Sequence, residues 1–249
     1  MKYYGITDRG KLRKSNQDNY VIATNRDGDI FAIICDGIGG GKGGDVASSM
    51  AVSYFSVSFA NTSSFSEEAE VRTWLKENIQ AANHKIFQTG VEKAALKGMG
   101  TTLCGVLITK VGNFVVNIGD SRTYAFKKDG TFRQITMDHT LVNDMLIHGE
   151  ITSQQAENYP QKNVLTNALG VWDTVRYDLS ILQEPVDGFL LCSDGLHGYV
   201  ELEQIRQIVL DTKCDPVRRA RQLLRAALDA GGYDNITAIL IDMERSADE

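Results

Sequence analysis

Two Asp-Gly turns, each between two strand-like runs, constrain the fold of this chain more than any other feature. They lie in "TNRDGDIFAI" (24–33) and "AFKKDGTFRQI" (125–135). Asp-Gly between two such runs is a strong short-range signal for a β-hairpin. Because a hairpin joins antiparallel neighbours, the sequence predicts antiparallel sheets rather than a doubly wound parallel sheet.

Strand-like runs rich in β-branched and aromatic residues recur along the whole chain. Strands are predicted over 20–24, 29–35, 101–109, 114–119, 122–127, 132–136, 177–182, 188–193 and 235–241. Runs such as "FAIIC" (31–35) and "FLLC" (189–192) are apolar at every position, so both faces of these strands must be covered. We therefore expect two antiparallel sheets packed together, with helices outside.

Three helices are predicted to supply that outer cover. In 67–89 the apolar residues recur at helical spacing until Gly90. In 215–230, Asp215 is suited to the N-cap and Pro216 to the first helical position. A third helix is expected at about 44–58, after a glycine-rich loop.

Composition and charge exclude several classes of function. The net charge of −6 argues against a nucleic-acid-binding surface, which needs a basic excess. The N-terminal "MKYYGITDRG" has no apolar signal core, and no apolar run reaches the length of a membrane span. Four cysteines without CxxC spacing are typical of buried thiols in a reducing compartment. We expect a soluble cytoplasmic protein with neither nucleic acid nor membrane as a partner.

The loop in "FAIICDGIGGGKGGDVASSM" (31–50) raises the question of a phosphate cradle. A P-loop requires glycine five residues before the second glycine and Ser or Thr after the lysine, where this chain has Asp36 and Gly43. The glycines at 39, 41 and 44 match the dinucleotide fingerprint formally, but any glycine-dense stretch does so. No acidic residue follows at the expected distance. A nucleotide-binding enzyme is therefore a disfavoured alternative.

Aspartates at the ends of apolar strands form a more informative pattern. Asp36, Asp120 and Asp194 each end such a strand, Asp234 precedes "NITAILI", and Asp18 precedes "YVIAT". One Asp-Gly pair alone is ordinary turn punctuation. Carboxylates gathered at one sheet edge repel each other unless a cation is bound. Since only oxygen ligands are on offer, the pattern favours Mg²⁺ or Mn²⁺ over zinc.

Bound divalent cations would also create a local positive site, which allows an acidic protein to bind an anionic substrate. Two metal ions suit the in-line attack of water on a phosphoryl group. The glycines after Asp36 allow the backbone to approach a metal, with Gly37 offering its carbonyl. Arg13, five residues before Asp18, has a guanidinium that can hold a phosphate through two hydrogen bonds.

Six short motifs then resemble one protein family. They are "R-x-x-N-Q-D" (13–18), "DGIGG" (36–40), "GTTL" (100–103), "GDSR" (119–122), "CSDGL" (192–196) and "DNIT" (234–237). In this order they resemble the metal-dependent protein phosphatases of type 2C, the PPM family, in its bacterial branch. The resemblance implies one domain over 1–249 of α+β class, with a four-layer α-β-β-α sandwich. A variable flap is expected at about 136–170.

The resemblance also implies an activity and its cofactors. The chain would remove phosphate from phosphoserine and phosphothreonine through a water that bridges two Mn²⁺ or Mg²⁺ ions, with a third, weaker ion in bacterial members. Its partners would be phosphorylated proteins, among them a bacterial serine/threonine kinase and the substrates of that kinase. Family members are usually monomers.

The roles of individual residues follow from their matching positions. Asp36 matches the carboxylate that bridges both ions, and Gly37 matches a carbonyl ligand. Asp194 and Asp234 match ligands of one ion, and Asp18 matches the acidic residue that contacts the other. The resemblance further implies that Asp120 binds the third ion and that Arg13 holds the substrate phosphate.

The chain departs from the family at several positions. Gln17 replaces a glutamate, Gly41 and Ile38 stand where subsets of the family have histidine, Gly198 replaces an acidic residue, and Asn167 replaces an arginine. The changes at 17 and in the loop motivate an alternative from another class, a non-catalytic descendant that binds phosphoproteins. The retained aspartates favour the active enzyme.

Overall fold

The computed structural model describes residues 1–39, 43–157, 159–161, 163–211 and 213–243. Two five-stranded antiparallel sheets pack face to face, and helices cover both outer faces. The expected four-layer α-β-β-α sandwich of α+β class is therefore confirmed.

The first sheet has the strand order β1, β12, β11, β8, β9, and the second has the order β10, β7, β6, β3, β2. The bounds in the first sheet are β1 Lys2–Asp8, β8 Arg122–Phe126, β9 Phe132–Gln134, β11 Gly188–Cys192 and β12 Ile236–Asp242. In the second they are β2 Asn19–Thr24, β3 Ile30–Cys35, β6 Leu103–Thr109, β7 Gly112–Ile118 and β10 Asp178–Leu182. A two-stranded ladder joins β4 (Gly37–Ile38) to β5 (Gly100–Thr101).

Seven α-helices are found in the described residues. Their bounds are α1 Gly43–Ala60, α2 Glu68–Glu92, α3 Leu141–Ile147, α4 Ser153–Glu157, α5 Asp194–His197, α6 Leu202–Val209 and α7 Pro216–Asp229. A short 3₁₀-helix spans Ala94–Leu96. Helices α1 and α2 cover the second sheet, and α5, α6 and α7 cover the first. No helix in the described part of the chain is long and apolar enough to cross a membrane.

Both predicted hairpins are confirmed, since β2 pairs with β3 and β8 pairs with β9 in antiparallel register. The two-sided cover of the apolar strands is confirmed as well. In β3, Phe31 and Ile33 belong to the core beneath α1 and α2, whereas Ala32 and Ile34 belong to the core between the sheets. The Phe31 ring packs against Phe55 of α1 and Trp74 of α2 at centroid distances of 5.8 and 5.7 Å.

The structure also contains elements that the sequence pattern did not predict. Strand β1 lies at the edge of the first sheet, and most of its residues are partly or fully exposed, so it lacks an apolar run. The helices α3 to α6 are short, from four to eight residues. The strand predicted over 101–109 is interrupted at Thr102, which lies between β5 and β6.

The N-cap of α7 offers a test of the outer layer. The Asp215 side chain accepts a hydrogen bond from the backbone N–H of Arg218 at 2.8 Å, as the sequence predicts. Replacing Asp215 by alanine should lower the free energy of unfolding by about 1 kcal/mol, since the orphan N–H loses its acceptor. Urea denaturation measures this change.

Asp229→Ala, at the other end of the same helix, is the matched control. Its side chain is exposed and lies 3.6 Å from Arg225, an exposed pair that contributes about 0–1 kcal/mol. Equal urea midpoints for the Asp215→Ala variant and the wild type would contradict the capping role.

Candidate functional site

The predicted site residues meet at one edge of the sandwich. Asp36, Asp120 and Asp194 follow β3, β7 and β11, whereas Asp18 and Asp234 precede β2 and β12. In antiparallel sheets these ends lie at the same edge, so the topology brings the carboxylates together. A cavity of about 290 Å³ is lined by Arg13, Asp36, Gly37, Asp120, Asp194 and Asp234. Asp18 is buried, with 3% of its surface exposed.

One carboxylate oxygen of Asp18 is fixed by a relay of hydroxyl groups. Its Oδ2 accepts hydrogen bonds of 2.7 Å from Ser193 Oγ and from Thr237 Oγ1. Thr7 Oγ1 lies 2.7 Å from Thr237 Oγ1, and because the Thr237 proton is directed to Asp18, Thr7 must donate here. The Thr7 oxygen in turn accepts from Asn16 Nδ2 at 2.8 Å.

The second oxygen of Asp18 has a different environment. Oδ1 is buried and has no hydrogen-bond partner among the described residues. Burial raises the pKa of this carboxyl to about 6, against the opposing effect of the bonds from Thr237 and Ser193. A buried oxygen without a donor requires a proton or a cation.

The backbone of Asp36 is held on both sides by the "GTTL" motif. Its N–H donates to Thr102 Oγ1 at 2.9 Å, and its carbonyl accepts from Thr102 N and Thr101 Oγ1, both at 2.8 Å. Burial, followed by the charges of Asp18 and Asp194, raises the pKa of the Asp36 carboxyl well above its usual range. This side chain therefore lies at the electrostatic centre of the cluster.

Asp194 and Asp120 extend the cluster on the side of α5. Burial and then the charges of Asp120 and Asp234 raise the pKa of Asp194 to about 8. Burial and the charge of Asp138 raise the pKa of Asp120 to about 6. His197 Nε2 lies 3.0 Å from the Asp120 carbonyl, and burial lowers the pKa of this histidine to about 4. His197 is thus a neutral donor that positions the Asp120 backbone.

Arg13 is the cation that the structure places directly on the cluster. Its Nη2 donates to Asp234 Oδ2 at 2.5 Å, and 52% of the Arg13 side chain is exposed. Asn235 holds the loop that carries Arg13, because its Nδ2 donates to the carbonyls of Arg9 and Ser15 at 2.9 Å each. The Asn235 Oδ1 accepts a hydrogen bond from Gln17 N at 2.8 Å, so the same side chain also holds the backbone next to Asp18.

The chemistry of this donor set fits a hard divalent cation. The side chains of the cluster offer only oxygen atoms as ligands. One of these, the buried Asp18 Oδ1, accepts no hydrogen bond from a described residue. Burial and mutual repulsion both oppose ionisation of the carboxyl groups. Within the described residues, no three His, Cys, Asp or Glu side chains already converge on one metal position. Mg²⁺ keeps several waters and uses one or two carboxylates, so such convergence is not required.

The predicted flap borders the cavity. Asn163 and Leu165 contribute to its lining, and isolated bridges tie Leu165 to Thr140 and Leu169 to Thr101. A second cavity of about 410 Å³ shares Asp120, Asp194 and Asn163 and extends to α3. Residues 158 and 162 of the flap, and Gly40, Gly41 and Lys42 of the glycine loop, lie outside the described residues.

Sequence reasoning missed the residues that position the carboxylates. These are Thr102, Ser193, His197, Asn235 and Thr237, all of which hydrogen-bond to a predicted site residue or its loop. Apart from His197, each lies inside one of the quoted motifs. Their place in those motifs was the available signal, but only the folded chain shows which atom each one contacts.

The structure describes the surroundings of Asn167, Gln17 and Ile38, three of the positions that depart from the family pattern. Asn167 Nδ2 contacts His139 Nδ1 at 2.9 Å and the Arg176 carbonyl at 2.8 Å, in a buried polar network. The Gln17 carbonyl accepts from Ser48 Oγ at 2.6 Å and from Gly37 N at 3.2 Å. Ile38 lines the cavity and brings no titratable group to it.

Comparison with known proteins identifies the family. Residues 11–230 match the family described as protein phosphatase 2C. The chain belongs to the protein phosphatase 2C family. Members of this family depend on Mn²⁺ or Mg²⁺. The match contains five of the six quoted motifs, and only "DNIT" (234–237) lies beyond its end at residue 230.

Curated relatives of this phosphatase 2C chain cover nearly its whole length. It is 39% identical over 237 residues to the serine/threonine phosphatase stp of Listeria welshimeri, an alignment that covers 95% of this chain and 93% of that protein. It is 38% identical over 240 residues to the protein phosphatase PhpP of Streptococcus pneumoniae, with 96% of each chain covered.

Solved phosphatase 2C structures agree with the fold. The serine/threonine phosphatase Stp1 of Staphylococcus aureus superposes with a TM-score of 0.91 at 33% identity, covering 98% of this chain and 95% of that one. The Mycobacterium tuberculosis phosphatase PstP/Ppp gives a TM-score of 0.87 at 30% identity, covering 98% and 99% of the two chains.

The raised pKa values predict a pH-dependent effect of Mn²⁺ on stability. A carboxyl whose pKa is raised on folding contributes stability below its unfolded pKa, and that contribution is lost as the pH rises through the folded value. In metal-free protein the loss therefore falls between about pH 4 and pH 8, the latter being the pKa of Asp194. A bound cation offsets this loss of stability, because it compensates the negative charge of the ionised carboxylates. The difference between the Tm measured in Mn²⁺ and the Tm measured in EDTA should therefore widen from about pH 6 to about pH 8.

Differential scanning fluorimetry at both pH values measures that difference. The Asp194→Asn variant should show a smaller widening, because it lacks the carboxyl with the pKa of about 8. A Tm difference that stays constant across this range, or that narrows, would show that protons and Mn²⁺ do not compete for the cluster.

Proposed function

We propose that this chain hydrolyses phosphoserine and phosphothreonine in proteins with the help of Mn²⁺ or Mg²⁺. The observation that carries the proposal is the meeting of Arg13 and the aspartate cluster around one cavity of about 290 Å³. Relatives that cover nearly the whole chain are named serine/threonine or protein phosphatases, which supports the same substrate class.

Four carboxylates and the Gly37 carbonyl would hold two divalent ions in the core site. Asp36 would contribute its carboxylate to both ions, because, besides its burial, the charges of Asp18, Asp194, Asp120 and Asp234 all act on it. Asp194 and Asp234 would hold one ion, and Asp18 would hold the other together with the Gly37 carbonyl. Bound ions of this kind polarise phosphoryl oxygens and lower the pKa of water.

Asp120 would hold a third, weaker ion. The neighbouring Asp138 already pairs with Arg122, with Nη2 and Oδ2 at 2.7 Å, and Gly198 carries no side chain. Asp120 would therefore receive little help from other carboxylates on that side, which accords with a weak site.

Arg13 would bind the phosphate group of the substrate. Only one of the five guanidinium N–H donors is used by Asp234, so the others are available to phosphate oxygens. Asp234 sets the position of the guanidinium, and Asn235 holds the loop behind it. The phosphate would then lie between the guanidinium and the carboxylate-bound cations, which oppose its negative charge from both sides.

The leaving oxygen would take its proton from water. Ile38 carries no titratable group, and His197 is neutral with its Nε2–H directed to the Asp120 carbonyl. A kinase as the physiological partner, a cytoplasmic location, a monomeric state and a single domain over 1–249 remain predictions from the sequence.

A phosphoprotein-binding role without turnover is the second candidate, and Gln17 is the observation that favours it. Tight binding of a phosphothreonine peptide without hydrolysis under saturating Mn²⁺ would support it. The complete aspartate set favours turnover.

Asp36→Asn tests the role of the cluster. The variant should lose at least about 100-fold in kcat for p-nitrophenyl phosphate and for a phosphothreonine peptide, because a bridging charge contributes several kcal/mol to transition-state stabilisation. Wild-type activity should require Mn²⁺ or Mg²⁺ and disappear in EDTA. The exposed Asp229→Asn is the control, and near-normal turnover by Asp36→Asn in folded protein would contradict the two-metal assignment.

Arg13→Ala tests the phosphate-binding role. Loss of charge-assisted hydrogen bonds worth about 1.5–3 kcal/mol each should reduce kcat/KM by about 10- to 100-fold. Arg13→Lys should recover part of the loss, because it keeps the charge without the planar fork. Arg225→Ala, at an 83% exposed side chain, is the control. Unchanged steady-state kinetics for Arg13→Ala would remove this residue from the site.

A further inference from the structure

The loop that carries Arg13 is strongly basic in an otherwise acidic protein. Residues 9–14 read "RGKLRK" and contain four basic residues and no acidic one, whereas the chain as a whole carries a net charge of −6. Arg9, Lys11 and Lys14 are exposed, and none of them forms an ion pair with another described residue. Only Arg13 is engaged, with Asp234. The loop that brings Arg13 to the cavity therefore carries three exposed cations that no described residue pairs.

Hydrogen bonds and close packing of its backbone hold this loop against the residues around Asp234. The backbone N–H groups of Lys11 and Leu12 both donate to the Gly232 carbonyl, at 2.8 and 3.3 Å. Gly10 has a φ of +75° and packs so closely that a Cβ atom there would lie 2.1 Å from the Asp234 carbonyl oxygen. Asn235 also donates to the carbonyls of Arg9 and Ser15, so these contacts together hold the backbone of the loop against Asp234 and its neighbours.

Exposed apolar side chains accompany the basic ones. Leu12 is 64% exposed and lies between Lys11 and Arg13, and Tyr233, next to Asp234, is 50% exposed. Tyr199 lines the adjoining cavity, and its ring lies 5.3 Å from the Tyr233 ring. Such a mixture is typical of a surface that contacts a protein, since purely solvated charges need no apolar neighbours.

We propose that Arg9, Lys11, Leu12, Lys14 and Tyr233 form a docking rim for acidic residues that flank the phosphorylated side chain of a protein substrate. The inference rests on the proposed phosphatase function and specifies the class of phosphoprotein. Charge complementarity selects an acidic partner, because Arg9, Lys11 and Lys14 belong to the same six-residue loop as the guanidinium that would receive the phosphate. Leu12 and Tyr233 would contact the apolar parts of the same segment.

Apart from Arg13, the basic residues of this loop lie outside the proposed chemistry of the site. Lys11 and Lys14 touch neither the cavity lining nor any of the aspartates among the described contacts. Their replacement should therefore leave hydrolysis of p-nitrophenyl phosphate unchanged, since this small substrate has no flanking residues. The effect should appear only with peptides.

The test compares two phosphothreonine peptides that differ only in flanking residues, glutamate in one and glutamine in the other. We expect wild-type protein to prefer the glutamate peptide by about fivefold in kcat/KM at low salt, as two or three exposed ion pairs would produce. In the double variant Lys11→Glu/Lys14→Glu the preference should fall to one or below. In wild type it should also shrink as salt is raised.

The control variant Lys110→Glu/Lys128→Glu changes the net charge by the same amount. Both lysines are exposed at turns that follow β6 and β8, at the far ends of strands whose other ends lie near the site. This variant should keep the wild-type preference. A loss of preference in the control as well would mean that overall charge acts, and would overturn the assignment to the loop.

The outcomes separate the two proposals. Wild type that hydrolyses p-nitrophenyl phosphate but treats both peptides alike would overturn the docking rim and leave the phosphatase function intact. Absence of turnover with every metal would count against the phosphatase function. In that case, fluorescence anisotropy measures how tightly wild type and the variants bind the same two peptides. Tighter binding of the glutamate peptide, lost in Lys11→Glu/Lys14→Glu, would support the docking rim, and equal binding of both peptides by wild type would overturn it. Equal competition by a single-stranded DNA oligonucleotide would show a non-specific anion surface and overturn the proposal.

Discussion

Mutual repulsion among buried carboxylates is the constraint on which the rest of this structure depends. Asp18, Asp36, Asp120, Asp194 and Asp234 meet at one edge of the sandwich, and the raised pKa values of the first four indicate that burial and neighbouring negative charge oppose ionisation. The chain opposes that repulsion by placing the aspartates at the ends of strands whose interiors are fully apolar, as in β3 and β11. The packing of the two sheets keeps together groups that would otherwise separate.

Hydrogen bonds from neutral side chains complete the arrangement. Thr102 holds the backbone of Asp36, Ser193 and Thr237 fix one oxygen of Asp18, and Asn235 closes the loop of Arg13. None of these groups adds charge, so the cluster keeps its negative potential for a cation. Among the described residues, none gives the Asp18 Oδ1 a hydrogen bond, so this oxygen remains available to a cation.

Local patterns were sufficient to predict much of this fold. The Asp-Gly turns and the fully apolar strands required antiparallel sheets with cover on both faces, and hairpins and layers are found as expected. Strand β1 could not be found this way, because an edge strand with half-exposed residues has no apolar signature. The role of His197 was also hidden, since a lone histidine shows nothing of the carbonyl it will contact.

What the sequence by itself determined is the inventory of the site: five aspartates at strand ends, one arginine and only oxygen donors, in motifs that resemble one family. These follow from short-range pattern and residue chemistry. Only the tertiary structure decided which groups meet, namely Arg13 with Asp234 across 221 positions and Thr237 with Asp18 across 219. The physical reason is that burial and pKa depend on neighbours distant in the chain, which strand order and register bring together and local sequence does not encode.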